Sequence, residues 1–249
     1  MSEANLVNLV TTNTTVCISI NILNNNHLLI NQLPPPPMTH TATLVHITPN
    51  AEELITYMAR VSNPANQNNT SSAPKLIRYL IEHQHWSPFE MVNMCVEINT
   101  TRSIAAQILR HRSFSFQEFS QRYAKVAAVS VMPELRRQDH ANRQNSINDL
   151  PSKTKDAMDE MISELFNHSE RVYNELLEAG VAKECARDVL PLATPTRLYM
   201  NGSIRSWIHY CNLRTGHGTQ KEHAQIAAQV QDILYKELPS VCNAMWDKE

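Results

Sequence analysis

The densest chemistry in the sequence lies between Gln107 and Tyr123. Arg110, His111 and Arg112 stand side by side, Arg122 follows, and Ser113, Ser115 and Ser120 add hydroxyls among Phe114, Phe116 and Phe119. Adjacent cations repel, so such a run costs energy unless an anion neutralises it. No Asp or Glu occupies the twelve positions before Arg110, and Glu118 is the only nearby carboxylate. An external phosphate suits the gap, because guanidinium forks pair bidentately with its oxygens. Gln107 and Arg110 are three residues apart, so on a helix an amide and a guanidinium can read one ligand. Taken alone, Arg-His-Arg reads as a solvated basic turn, since charge runs usually face water. Ser120 invites a nucleophile reading. Its neighbours Gln121 and Arg122 cannot act as a base, however, and His111 is nine residues away.

A second set lies on Ser203–Arg214. Helical spacing puts Arg205, His209 and Asn212 on one polar stripe, with Ile204, Ile208 and Cys211 on a packed stripe and Trp207 between. Arg214 falls about 180° round from Arg205 at helical rotation. Either one helix serves two ligands, or the helix ends first and turns Arg214 away. His83 and His85 form an HxH pair, but no further ligands follow at a known metal spacing, and no metal is expected. The chain has four glycines and neither a GxGxxG nor a Walker loop, so a nucleotide here must be held by side chains. Fourteen Arg against eight Lys points the same way, toward small anions.

The elements that must position these residues follow from periodicity and breakers. Strands are expected at Thr41–Thr48, Phe89–Asn99 and Thr196–Asn201, the second with Val92, Met94, Val96 and Ile98 on one face. Helices are expected at Ala51–Val61, Lys75–His83, Arg102–Arg110, Ser152–Ala179, Ala182–Leu190, Ser203–Leu213 and Glu222–Leu238. Ser152 is the expected cap and Gly180 the stop of the longest helix. Asn63–Pro74 and Gln138–Leu150 read as polar loops, and residues 113–130 are ambiguous. Strands and helices do not alternate as βαβ units. The expectation is an α+β (irregular α/β) domain over residues 38–249, with a mixed or antiparallel sheet flanked by helices, and not a Rossmann fold. Residues 1–37 carry eight Asn, a single charged residue and the run Pro34–Pro37. They read as a loose extension, with a hairpin around Val16–Ile22 as the alternative and Met38 as an alternative start.

Bulk properties narrow the function. A net charge of -2 argues against a protein that coats nucleic acid or an anionic membrane. Five cysteines, an odd number with no CxxC pair, fit a reducing cytoplasm. No run of 18 apolar residues exists, and the first basic residue is Arg60, so neither a membrane span nor a leader is expected.

The wider spacing is more specific. Arg-His-Arg, two residues, Ser115, four residues, Ser120, one residue and Arg122 resembles the signature of the flavin-dependent thymidylate synthases. Ala59–Ser62, His85–Glu90, Ala186–Pro191 and Ser203–Arg214 are similar, in order, to further segments of that family. The resemblance covers roughly residues 40–240. It implies methylation of dUMP to dTMP, with FAD as hydride carrier, NADPH or NADH as reductant and 5,10-methylenetetrahydrofolate as carbon donor. It implies a homotetramer with sites shared between subunits. It places Gln107, Arg110, Glu118, Ser120, Arg122, Arg187 and Arg214 around dUMP, with Arg122 and Arg187 at the phosphate and Arg214 as the catalytic cation at the uracil. Ser87, Arg110, His111, Arg112, Glu118, Ser203, Arg205 and His209 fall to FAD, and His85 to the folate side. Some members carry Asn where this chain has Ser203. Two other classes compete: a non-catalytic nucleotide- or RNA-binding protein using the Arg cluster, and a metal-dependent nucleotide hydrolase built on the histidines. Flavin absorbance separates the first reading from both.

Overall fold

The computed structural model describes residues 40–126 and 130–247, and the expectation for residues 1–37 lies outside them. In chain order the elements are β1 (Thr41–Ile47), α1 (Ala51–Ala59), α2 (Ala73–Glu82), β2 (Asn93–Thr101), α3 (Arg102–Ile108), β3 (Ser115–Glu118), β4 (Arg137–Gln138) and β5 (Ser146–Ile147). Then come α4 (Ser152–Glu178), α5 (Lys183–Ala186), β6 (Pro195–Ser203), α6 (Ile204–Arg214), α7 (Lys221–Glu237) and α8 (Pro239–Met245).

β2 organises the molecule. Its alternation buries Met94, Val96 and Ile98 completely, with Val92 just ahead of the strand. β2 pairs antiparallel with β1 on one side and with β6 on the other, and β3 adds to the far edge of β6, giving the order β1-β2-β6-β3. The expected α+β fold with an antiparallel sheet is therefore the observed one. Leu198 and Met200 extend the buried face along β6. Ile204, Trp207, Ile208 and Cys211 of α6 join that core with Ile226, Ala227, Val230 and Leu234 of α7. The indole N–H of Trp207 donates to the Met94 carbonyl at 2.9 Å, which satisfies the one polar atom of the largest buried side chain.

The junction of β6 and α6 is tightly specified. Ser203 caps α6 by accepting from the Ser206 N–H at 3.3 Å. At Gly202 a Cβ would lie 2.5 Å from Phe114 Cδ1, so only glycine lets that ring pack here.

Three local expectations are corrected. Ser152 makes no capping bond, because the helix boundary sits at Pro151, whose ring fixes φ at -57°. The stretch 182–190 is not one helix. It breaks into α5 and a 3-10 turn at Arg187–Val189, as Leu190 must be extended ahead of Pro191. The loop 138–150 contains the small β4–β5 ribbon, closed where Asp139 accepts from the Ala141 and Asn142 N–H groups and the Asn145 amide. Beyond the last expected helix, Pro239 starts α8. It occupies the first turn, where its missing N–H costs nothing, and α8 buries Val241 and Cys242.

Candidate active site

Two elements far apart in sequence meet at one contact. α3 is pinned to the sheet by Ile104, Ala105 and Ile108, and its exit turn delivers His111. α6 runs unbroken to Arg214, its last residue. There Arg214 Nε donates to His111 Nε2 at 2.9 Å. A guanidinium has no acceptor, so His111 must offer a lone pair at Nε2 and carry its hydrogen on Nδ1. Burial first, then the charges of Arg214 and His209, push His111 down to about 4. Arg214 therefore faces a neutral ring where a carboxylate would be usual, and its charge stays uncompensated.

Aromatic and amide groups enclose this contact. The Tyr210 ring stands edge-on to His111 at 5.1 Å, with Phe114 at 6.3 Å and His223 at 6.2 Å. His223 is fully buried, and burial, then Arg214 and His111, push it down to about 3. Its Nδ1 lies 3.4 Å from Gln107 Oε1, an acceptor, so Nδ1 holds the hydrogen. The Gln107 amide in turn donates to Gln220 Oε1 at 2.7 Å. That leaves His223 Nε2 and Tyr210 Oη buried without a partner among the described residues. The sequence reading gave His223 no role. Its pairing with Gln107 spans 116 residues, and no local pattern signals it.

A second group forms around Glu90. Ser203 Oγ donates to Glu90 Oε2 at 2.6 Å, and Arg205 Nη1 to Oε1 at 2.8 Å. The Ser203 bond, with Arg205 beside it, holds the Glu90 carboxyl below its usual range. Ser87 opens the 3-10 turn that carries Glu90, and it is exposed. His209 is exposed one helical turn after Arg205, while Ile204, Trp207, Ile208 and Cys211 are buried, so the polar and packed stripes of α6 are as expected. Arg205 engages Glu90 while Arg214 engages His111, so the single helix presents its two guanidiniums to different groups. Arg110 and Arg112 are exposed and have no ion-pair partner among the described residues. His85 is exposed beside Tyr79, ring centroids 6.0 Å apart, after a left-handed Gln84 with φ 58°.

The remaining candidates form two further groups. Arg122 Nε donates to Glu184 Oε2 at 3.0 Å, and Arg187 Nε to the Glu184 carbonyl at 3.2 Å, so both expected phosphate-binding arginines converge on Glu184. Ser120 is exposed, and its carbonyl accepts from the Tyr123 and Ala124 N–H groups. Glu118 does not offset the Arg-His-Arg run. It accepts from Arg102 Nη1 at 2.9 Å and from Thr196 Oγ1 at 2.8 Å. Arg102, Thr196, Glu90, Glu184 and Gln220 thus belong with the candidate residues, though sequence reasoning assigned them nothing. Among the described residues, no hydrogen bond or ion pair joins the Glu184 group to the His111–Arg214 contact within one chain.

This donor set suits anionic ligands. Arg110, Arg112 and Arg214 are cations lacking carboxylate partners, and orphaned polar atoms of Tyr210 and His223 line the same neighbourhood.

Known proteins agree with that chemistry. Residues 43–240 match the family profile described as "Thymidylate synthase complementing protein". The chain is 51% identical over 205 residues to a "Probable flavin-dependent thymidylate synthase" of Paramecium bursaria Chlorella virus 1, covering 82% of this chain and 95% of that one. It is 52% identical over 194 residues to a "Flavin-dependent thymidylate synthase" of Synechocystis sp., covering 78% and 89%. Among solved structures, the UMP/dUMP methylase PolB of Streptomyces cacaoi, bound with 5-Br dUMP, matches with a TM-score of 0.74 at 28% identity, over 82% of this chain and 93% of that one. A profile match over most of the chain, with relatives sharing half of their residues, means that this chain belongs to the flavin-dependent thymidylate synthase family.

Proposed function

We propose that this chain methylates dUMP to dTMP, drawing its carbon from 5,10-methylenetetrahydrofolate and its hydride from FAD reduced by NADPH, with release of tetrahydrofolate. The observation that carries the reading is the Arg214–His111 contact, a half-buried cation held in place by a neutral acceptor. Set against the uracil carbonyl and N3, such a cation favours the N3-deprotonated, electron-rich ring. Activation of this kind needs no enzyme nucleophile, and Ser120 is accordingly a binding residue.

Gln107, Arg110, Glu118, Ser120, Arg122, Arg187 and Arg214 surround dUMP. The phosphate falls to Arg122 and Arg187. The Arg122–Glu184 pair now there is half exposed or more on both sides, with side chains 67% and 51% accessible. Exposed pairs contribute only about 0–1 kcal/mol, so a phosphate can displace Glu184 at little cost. Ser87, Arg110, His111, Arg112, Glu118, Ser203, Arg205 and His209 are the FAD residues. Bound among them, FAD supplies reversible hydride storage. Glu90 fixes Ser203 and Arg205 before any ligand arrives, and His85 lies on the folate side.

The same reading includes a homotetramer with sites shared between subunits, as the family resemblance implies. A reducing cytoplasm is supported by Cys95, Cys185, Cys211 and Cys242, all free thiols. No helix among the described residues is long and apolar enough to cross a membrane. The test is tritium release from 5-tritiated dUMP, omitting FAD, NADPH and folate in turn. Release that requires all three is expected. Release without FAD would overturn the reading, and so would none with the full set.

A further inference from the structure

We infer that Arg102 and Thr196 are positioning residues for the Glu118 carboxylate: they fill one of its oxygens and leave the other as its only acceptor for a ligand N–H or O–H. The inference rests on the assignment of Glu118 to dUMP made above.

The geometry is specific. Glu118 ends β3, in register with Leu198 of β6. Thr196 lies two residues earlier on β6 and is 4% exposed. Arg102 opens α3, and its own backbone N–H donates to the Thr194 carbonyl at 2.9 Å. Three elements thus converge on one side chain. Arg102 Nη1 at 2.9 Å and Thr196 Oγ1 at 2.8 Å both point to the same atom, Glu118 Oε1. A carboxylate oxygen has roughly two acceptor sites, so Oε1 is saturated. Nothing among the described residues bonds Oε2.

The arrangement does two things for a nucleotide. First, two donors on one oxygen fix the rotation of the carboxylate, so Oε2 presents its lone pairs in one direction. Second, Arg102 offsets a negative charge that would otherwise repel an incoming phosphate-bearing ligand. The two donors therefore separate in kinetics: the charge of Arg102 acts on dUMP binding, whereas the hydroxyl of Thr196 acts on the alignment needed at turnover. A bond that merely fastened α3 to β3 would show neither pattern.

The experiment uses purified holoenzyme carrying Arg102→Met, Arg102→Lys, Thr196→Val or Glu118→Gln. KM for dUMP, kcat and the melting temperature are measured for each. Arg102→Met is expected to raise KM for dUMP about tenfold, equivalent to about 1.4 kcal/mol, with a smaller change in kcat. Arg102→Lys, which keeps the charge, is expected to recover most of that loss. Thr196→Val is expected to lower kcat severalfold with little change in KM. Equal KM values for wild type and Arg102→Met would overturn the inference, as would equal defects in the Met and Lys variants. Should Arg102→Met fail to fold, Thr196→Val decides alone: unchanged kcat sinks the proposal. If Glu118→Gln leaves dUMP kinetics untouched, the assignment of Glu118 itself is wrong. If Glu118→Gln impairs them while the Arg102 and Thr196 variants do not, only the present inference fails.

Discussion

Consider lowering the pH of the ligand-free protein from 7 to 5. His111 and His223 are held neutral in the fold, the first pushed down to about 4 and the second to about 3. In the unfolded chain both take up protons near the ordinary value of 6.5. Between 6.5 and the folded values the unfolded state therefore binds more protons, and stability falls as the solution becomes more acid. Each pH unit below 6.5 costs about 1.4 kcal/mol per histidine, so pH 5 costs about 2 kcal/mol for each and about 4 kcal/mol for both. Burial is the leading cause in both, and the two residues are 9% and 0% exposed, so solvent screening removes little. His40, also lowered mainly by burial, acts in the same direction. A loss of this size is a large part of the roughly 5–15 kcal/mol typical of a domain. Urea unfolding at fixed protein concentration, at pH 7 and pH 5, reads it directly. His111→Gln keeps an oxygen acceptor for Arg214 but does not titrate, and it should halve the pH effect. A wild-type loss under about 1 kcal/mol would refute the reasoning, as would an undiminished loss in the variant.

Three further outcomes follow. Arg214→Ala should abolish tritium release from 5-tritiated dUMP while FAD, read by absorbance, stays bound; full activity would remove Arg214 as the uracil-activating cation. Ser120→Ala should keep measurable turnover, and complete loss with intact dUMP binding would reopen the nucleophile reading. Gly202→Ala should destabilise the fold by about 1–3 kcal/mol in denaturant unfolding, the usual range for overpacking. Its Cβ would meet the Phe114 ring, which Trp207 holds at 4.7 Å and cannot release freely.

What the sequence disclosed was local. The stripes of α6 were legible because helical rotation sorts Arg205 and His209 from Ile204 and Ile208 within a few residues. β2 was legible through its alternation, and the end of α4 through Gly180, which takes φ 84°. Of the Arg-His-Arg run, Arg110 and Arg112 are exposed, while His111 is buried and held neutral, which its place between two arginines does not signal. The one nearby carboxylate, Glu118, goes to Arg102, 16 residues away, because β3 pairs with β6 and turns that side chain toward the start of α3. Gln107 with Gln220 spans 113 residues, and Arg122 with Glu184 spans 62. Such pairs depend on sheet register and helix packing, which composition and periodicity do not encode. α8 was not expected from the sequence; Pro239 sits in its first turn, where its missing N–H costs nothing.

The most direct test of the account is a titration of FAD-free protein with FAD, followed by dUMP. Arg110 and Arg112, without ion-pair partners among the described residues, predict tight uptake of one FAD per chain and a yellow protein, and Arg214 predicts a change in the flavin spectrum when dUMP is added. A protein that stays colourless and takes up no FAD would contradict it.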